Sequence, residues 1–491
     1  MTIAPPGPQT GSPLIIDDAQ LIGGDWVRAA GGETIDVINP ATGEVLGRVP
    51  RGGAEDVDAA VRAAEAAYPA WRDTNATTRG ALISRWAQLI DEHTTELDQL
   101  ESQEVGRPSW GPPPMSRILT FVAGQADKVQ GLSLPTYTPD VIGLTLREPY
   151  GVVGAVIPWN APAPMFVNDV GPAIAAGNTI VIKPAEDAPL TALALAKLAL
   201  EAGLPPGVVN VVTGYGSEAG AAIPAHPGIK RMSFTGSPDT GSIVMAACAK
   251  NLTPLHLELG GKSPQVILAD ADLDAAIPAI AMGITLNTGQ ICAAGSRVVV
   301  HRSVHAQVVE RLAERMSQVK VGPWYEQVNM GPLINAKQHA RVLEYMQLGQ
   351  QEGADLVLGG GRPSGEQFER GYFVEPTLFD NVDPSMRIHQ EEIFGPVLGV
   401  TPVDDDDEAL RVANGTDYGL VASVWTGSVG KAVKFAKGMQ AGQVAVNAAL
   451  GAGVIGGPFG GYKRSGFGRT MGADAVLDYT VVKTVSLRGT A

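Results

Sequence analysis

The sequence predicts an α/β protein in which mostly parallel sheets are covered on both faces by helices. Three observations carry that prediction. Short apolar runs recur between Gly151 and Leu259 with helix-length segments between them, which is the pattern of parallel strands joined by crossover helices. Forty-five per cent of the 491 residues are hydrophobic and only 18% are charged, so there is ample material for a large core. Gly and Ala are abundant and aromatics few, which suits helices packed closely on sheets.

Residues 55–105 read as amphipathic, Ala-rich helices. Two alternating runs from Leu132 to Glu148, with Pro139-Asp140 between them, read as a hairpin. The regular alternation follows. Strands are expected at Gly151–Ile157, Asn178–Lys183, Val208–Thr213 and Arg231–Thr235. Helices are expected around Met165–Ala176, Leu190–Ala202 (closed by Gly203), Glu218–Ile223 and Thr240–Asn251. The second half repeats the pattern less cleanly. Its expected strands are Leu255–Leu259, Pro264–Leu268, Arg297–Val300, Val421–Trp425 and Gln443–Val446. Its expected helices are Ala275–Asn287, taken as buried, Ala306–Val319 and Lys431–Met439. The acidic run Asp404–Asp407 reads as a solvated helix start favoured by the helix dipole. The tail, Tyr479–Leu487, reads as a strand that pairs with the early hairpin or with another subunit.

Composition narrows the function. A net charge of −15 repels phosphate backbones and anionic lipid, so neither nucleic acid nor membrane is an expected partner. No apolar run is long enough to span a bilayer. Met1–Pro13 lacks the basic start and apolar core of a signal peptide and reads as a disordered lead-in. Two cysteines in the whole chain argue against a disulfide framework and for the cytoplasm. Seven histidines show no metal-ligand spacing, and no metal is expected.

Six segments carry candidate chemistry. Asn287-Thr-Gly-Gln-Ile-Cys292-Ala-Ala-Gly places a cysteine between a helix and a strand among small residues. A thiolate there is a strong nucleophile, although a free cysteine is often simply buried. Cys248, on an apolar helix, reads as core. Leu257-Glu258-Leu-Gly-Gly-Lys262 puts a carboxylate in an apolar strand, as a general base or as the partner of Lys262. Val156-Ile-Pro-Trp-Asn160 puts an amide at the carboxyl edge of a parallel sheet, as an oxyanion donor or a helix cap. Lys183-Pro-Ala-Glu186, at the next strand end, suits ribose and phosphate or a loop ion pair. Gly214-Tyr-Gly216-Ser-Glu-Ala-Gly220 departs from the usual dinucleotide spacing. Ser233-Phe-Thr-Gly236-Ser237 leads into a helix whose free N–H groups suit a pyrophosphate.

Together, Pro158-Trp-Asn, Lys183-Pro-Ala-Glu, Phe234-Thr-Gly-Ser, Glu258-Leu-Gly-Gly-Lys, Gly289-Gln-Ile-Cys, Glu391-Glu-Ile-Phe-Gly-Pro and Pro458-Phe-Gly-Gly-Tyr-Lys resemble the aldehyde dehydrogenase superfamily, from about residue 20 to the end. The resemblance implies two Rossmann-like parallel-sheet domains and a small β arm. These are a dinucleotide-binding domain over 1–131 and 149–259, a catalytic domain over 260–470, and a bridging, oligomerisation arm over 132–148 and 471–491. It implies Cys292 as nucleophile, Glu258 as general base and Asn160 as oxyanion donor. For NAD it implies Lys183 and Glu186 at the adenine ribose, and Trp159 and Ser237, beside Gly236, at the pyrophosphate. Glu392 is implied at the nicotinamide ribose, with Phe394 packed nearby. The implied reaction oxidises an aldehyde to its acid through a thiohemiacetal and a thioester, in a homodimer or homotetramer. The retained Glu258 favours water over coenzyme A as acyl acceptor. A cysteine-dependent acyl hydrolase is the alternative that would need no nucleotide. Ala161, Asn168, Ile291, Ala293 and the ring-free stretch Ala448–Gly457 point to a wide apolar tunnel and a bulky aromatic or medium-chain aldehyde.

Overall fold

The computed structural model describes residues 14, 16–109, 111, 114–449, 454 and 456–489. The expected lead-in at 1–13 lies outside them, as do residues 450–453 and 455 of the stretch before Pro458.

The first sheet has eight strands. Its centre is five parallel strands in the spatial order Val209–Val211, Thr179–Lys183, Val152–Val156, Arg231–Thr235, Leu255–Glu258. The chain therefore builds outward from Val152–Val156 on one side, then returns to build on its other side. That makes a switch point between Val152–Val156 and Arg231–Thr235, and the loops leaving the carboxyl ends of these two strands flank a crevice. β-Branched runs explain the strands: all five residues of Thr179–Lys183 are buried, as a parallel strand covered on both faces requires. The helix Leu190–Glu201 follows, with its Leu and Ala side chains almost wholly buried. Its first N–H groups, at Leu190 and Thr191, donate to the Glu104 carboxylate, and Gly203 at φ +92° turns the chain away. Antiparallel strands cap both edges: Gln20–Ile22 with Asp25–Val27 at one, Gly466–Phe467 at the other.

A second sheet of seven strands is parallel except for the edge strand Asp355–Leu358. Its centre runs Thr377–Asp380, Val397–Val403, Arg297–His301, Pro264–Ile267, Val421–Trp425 and Gln443–Val446. The expected α/β class, with two parallel-sheet units, is what the chain adopts. The hairpin is present as well: Ser133–Leu134 pairs with Val141–Pro149. The tail strand Thr480–Arg488 pairs antiparallel along that same strand, from Thr480 opposite Pro149 to Arg488 opposite Val141, making a three-stranded sheet. Asp405 caps the helix Asp406–Ala413, accepting from the N–H groups of Asp407 and Glu408.

Two expectations need correction. The apolar helix expected at Ala275–Asn287 runs Leu273–Thr285 and is not buried all round: Met282 is exposed, because only one stripe faces the second sheet. It also stops earlier, because Asn287 and Thr288 take left-handed backbone angles. No described helix is long and apolar enough to cross a membrane.

Candidate active site

The nucleophile segment begins where that helix ends. Asn287, Thr288 and Gly289 have φ of +48°, +57° and +71°, three successive left-handed residues. For the two non-glycine residues this costs of the order of 1 kcal/mol or more each, so the surroundings must impose it. They do so through hydrogen bonds. The Gln290 amide donates to Asn287 O (3.1 Å), while its carbonyl accepts from Ile334 N (3.0 Å). Thr288 Oγ1 donates to Gly331 O (2.9 Å). At Gly289 a side chain has no room, because the Gly395 carbonyl lies against it. The turn thus presses the cysteine segment onto Glu391–Pro396, two stretches a hundred residues apart.

Cys292 itself is half-buried, whereas Cys248 is buried, as expected for core. Burial first, and then the charges of Glu258 and Glu392, push the Cys292 thiol up to about 12, against the pull of the Ala293 and Cys292 backbone N–H groups. The resting thiol is therefore protonated at neutral pH.

Asn160 follows the strand Val152–Val156 at the switch point. Its Nδ2 donates to Gln290 O (2.9 Å), and Asn287 Nδ2 donates back to Asn160 O (2.8 Å). The expected helix-capping role is absent: Ala161, not Asn160, precedes the helix Pro162–Ala175, and no side chain caps it. The amide is instead fixed to the cysteine segment, two residues before the sulfur.

Glu258 ends its strand 5% exposed, and neither carboxylate oxygen has a hydrogen-bond donor. Burial raises its carboxyl above the ordinary range. The alternative partner, Lys262, does not reach it: its ammonium is buried with no hydrogen-bond acceptor and is pushed down to about 7, by burial first. Gly260 and Gly261 let this loop pass against two neighbours. A side chain at Gly261 would strike the Cys292 carbonyl, and one at Gly260 would strike the Glu392 carboxylate. Glu392 Oε1 accepts from Gly261 N (2.9 Å), and burial raises its carboxyl to about 7. The structure thus gathers Asn160, Glu258, Cys292 and Glu392 at one place.

Around the crevice, Lys183 Nζ is fully buried and donates to Pro184 O (2.5 Å), Gly214 O (2.9 Å) and Glu186 Oε2 (3.4 Å). That ties the Gly214–Gly220 loop to the strand end and leaves Glu186 partly open to solvent. Ser237 caps the helix Pro238–Ala249, accepting from Thr240 N. Gly236 keeps its place because a side chain there would meet the Phe234 ring at 2.6 Å. Trp159 and Phe394 meet edge to face at 5.4 Å, and Phe394 holds φ +61° with its carbonyl accepting from Gln338 Nε2 (2.7 Å). Among the described residues no three His, Cys, Asp or Glu side chains gather as a metal site. Sequence reasoning quoted Asn287 and Gln290 without giving them a part, and it missed His256 beside Glu258. The alternation His256-Leu-Glu258 was the available signal, since residues two apart share one face of a strand.

Residues 26–485 match the Aldehyde dehydrogenase family. The chain is 43% identical over 478 residues to "Aldehyde dehydrogenase, cytosolic 1" of Rattus norvegicus, covering 95% of this chain and 94% of that one. An aldehyde dehydrogenase from Bacillus cereus, solved as an NAD+ complex, is 43% identical with a TM-score of 0.93, covering 96% and 97% of the two chains. An indole-3-acetaldehyde dehydrogenase, also solved with NAD+, is 40% identical with a TM-score of 0.94 over 96% and 97%. With the family matched across nearly the whole chain and the same fold in its solved members, this protein belongs to the aldehyde dehydrogenase family.

Proposed function

We propose that the protein oxidises an aldehyde to its carboxylic acid with NAD, through a covalent intermediate on Cys292. The observation that carries this is the convergence of Cys292, Asn160, Glu258 and Glu392 from four separate segments onto one cleft beside the switch point of the first sheet.

The crevice fits NAD. Glu186, partly exposed at a strand end, offers carboxylate oxygens to ribose hydroxyls, and Lys183 holds the loop that walls the site. The N-terminus of the helix Pro238–Ala249 offers free N–H groups to a pyrophosphate, with Ser237 and Trp159 flanking it. Glu392 lies where it can meet the second ribose, with Phe394 behind it. When bound, NAD supplies the hydride acceptor and a positive ring that favours the thiolate. On this reading the first sheet, with residues 1–131 and 149–259, is the cofactor domain. Residues 260–470 form the catalytic domain, and 132–148 with 471–491 the bridging arm.

In the first step Cys292 Sγ gives its proton to solvent and bonds to the aldehyde carbon. The carbonyl oxygen becomes an oxyanion, stabilised by Asn160 Nδ2 and the Cys292 N–H. A donor of this kind is worth about 3–4 kcal/mol in comparable sites. The oxyanion collapses, hydride leaves the carbon and a thioester remains on sulfur. In the second step Glu258 takes a proton from water. The water oxygen bonds to the thioester carbon, the C–S bond breaks and sulfur departs with its electron pair. Burial raises the Glu258 carboxyl above the ordinary range, and its oxygens carry no hydrogen-bond donor, which suits them to that task. The substrate this reading assigns is a bulky apolar aldehyde. Two unpaired cysteines fit a reducing cytoplasm.

The test is Glu258→Gln, followed by rapid mixing with NAD and aldehyde. We expect a full NADH burst and a steady rate reduced at least about a hundredfold, because the amide cannot accept water's proton. Unchanged steady turnover would remove Glu258 from the role of base, and absence of NADH formation by the unmodified protein would overturn the whole reading.

A further inference from the structure

Behind Glu258 lies a line of buried polar groups that the two steps above do not use. His256 shares its strand face with Glu258 and is 2% exposed, with Nε2 3.3 Å from Glu258 Oε1. Across the sheet, in register with His256, stands Ser233. Ser233 Oγ is 3.3 Å from His256 Nδ1 and donates to Asp169 Oδ1 at 2.7 Å. Tyr479 Oη donates to that same oxygen at 3.1 Å. Beyond it, the Arg231 guanidinium lies 3.8 Å from the centre of the Tyr479 ring and pairs with Asp478 at 2.8 Å. The His256 ring fits only because residue 468 is glycine, at φ +89°; a side chain there would strike the ring.

The hydrogen count fixes the tautomer. Ser233 has one hydroxyl hydrogen and gives it to Asp169, so toward His256 it can only accept. His256 must then carry hydrogen on Nδ1. In the neutral ring that leaves a bare Nε2 facing a carboxylate oxygen at 3.3 Å, and neither atom has a hydrogen-bond partner. Two opposed buried acceptors repel, so a proton belongs between His256 Nε2 and Glu258 Oε1. We propose that His256 is a positioning residue for the Glu258 carboxylate, held in one orientation by the hydrogen-bonded chain through Ser233 to Asp169 and Tyr479.

The arrangement answers a difficulty of the site. A carboxylate at the sheet edge with no donors would swing or stay protonated. An imidazole donor beside it fixes one oxygen, leaves the other for water and favours the ionised form. Burial raises the Glu258 carboxyl, while the neighbouring His256 and then Arg469 pull it down; Asp169 pushes it up. Asp169 is itself raised by burial and lowered by Ser233, His256, Tyr479 and Arg231. Cys292 faces Glu258 from the nucleophile segment.

This inference rests on Glu258 being the base, so the experiment separates the two. Full-length His256→Leu, His256→Gln, Ser233→Ala and Glu258→Gln proteins are compared by NADH burst and by the pH profile of the deacylation-limited rate, with NAD binding as a check on folding. We expect His256→Leu to keep the burst, to slow steady turnover at least tenfold and to move the acidic limb up by about one pH unit, since a favourable partner of the ionised form is lost. Ser233→Ala should move the limb the same way by less, and His256→Gln, whose amide can still donate, should move it least of the His256 variants. An unmoved limb in both His256→Leu and Ser233→Ala overturns the inference. If His256→Leu does not fold, an unmoved limb in Ser233→Ala does so alone. If Glu258→Gln keeps normal turnover, the base assignment fails instead.

Discussion

The Cys292 thiol is the residue on which the chemistry turns, and its environment works against it. Burial and two nearby carboxylates raise it to about 12, well above an ordinary thiol. The sign follows directly: a raised thiol stays protonated as pH rises through neutrality, so reactivity keeps climbing where an ordinary thiol has levelled off. Alkylation by iodoacetamide without cofactor should therefore rise about tenfold per pH unit through pH 9 and beyond, with the Cys292→Ala protein giving the background. A plateau between pH 8 and 9 would show that burial and the two carboxylates do not raise the thiol. Bound NAD should accelerate the alkylation at neutral pH, because a positive ring offsets the two carboxylates. The same residue shows what sequence could not supply. Cys292 was legible as a nucleophile only with its companion segments, because a lone cysteine is as often core. Which groups surround Glu258 depends on cross-strand neighbours such as Ser233 and on Asp169 from a helix, and no spacing along the chain brings those together.

Among the elements, the left-handed turn at Asn287–Gly289 does the placing. Asn287 and Thr288 adopt φ values that neither prefers, held by Gln290 and Gly331, and Gly289 makes the close approach to Gly395 possible. Gly289→Ala should lose about 2 kcal/mol or more of stability, from both strain and overlap, read as a lower urea midpoint, and activity should fall with it. A midpoint within error of the parent would mean the two backbones part easily. The sequence read this segment as the end of a helix, since its apolar run continues to Leu286; a sequence pattern does not register a tertiary bond to Ile334. The regular strands and helices from 151 to 259 were legible because each is fully patterned and bounded by Gly or Pro. The short strands at 20–27 and 34–50 and the helix Ala336–Gln351 were not, because their burial is partial and their periodicity weak. The three-stranded sheet carries exposed Ile142, Leu146, Val481, Val482 and Leu487, with exposed Leu132 just before its first strand. Exposed apolar side chains gathered on one small sheet mark an association surface, so we propose that it joins subunits. Removing residues 480–491 should lower the mass seen by light scattering to that of one chain; an unchanged mass would place the interface elsewhere.

At the scale of the whole molecule, two parallel sheets and the loops between them enclose the space an aldehyde must cross, and the walls of that space set the substrate. The candidate wall positions carry small or apolar side chains. Ala161, directly after Asn160, is a half-buried methyl group, and Ile291 and Ala293 flank the sulfur, also half-buried and uncharged. Phe166, the one ring in this part of the helix Pro162–Ala175, turns away: it is fully buried and packs edge to face on Trp86 at 6.2 Å. Asn168 is buried, and the stretch before Pro458, half of it outside the described residues, contains no aromatic residue in sequence. A wide apolar passage favours a substrate that fills it, by roughly 25 cal/mol for each Å² of apolar surface removed from water. Acetaldehyde buries little and is poorly held for attack, so it gains neither affinity nor orientation. A substrate carboxylate would find no basic residue at these wall positions, which disfavours semialdehyde acids. We therefore expect an aromatic or medium-chain aldehyde to show a kcat/KM at least about tenfold above that of acetaldehyde, since about 55 Å² of additional apolar burial gives that factor. Ala161→Phe should move the ratio back toward acetaldehyde by filling the passage beside Asn160, with the NADH burst on acetaldehyde retained. A higher kcat/KM for acetaldehyde in the unmodified protein would overturn the wide-tunnel reading.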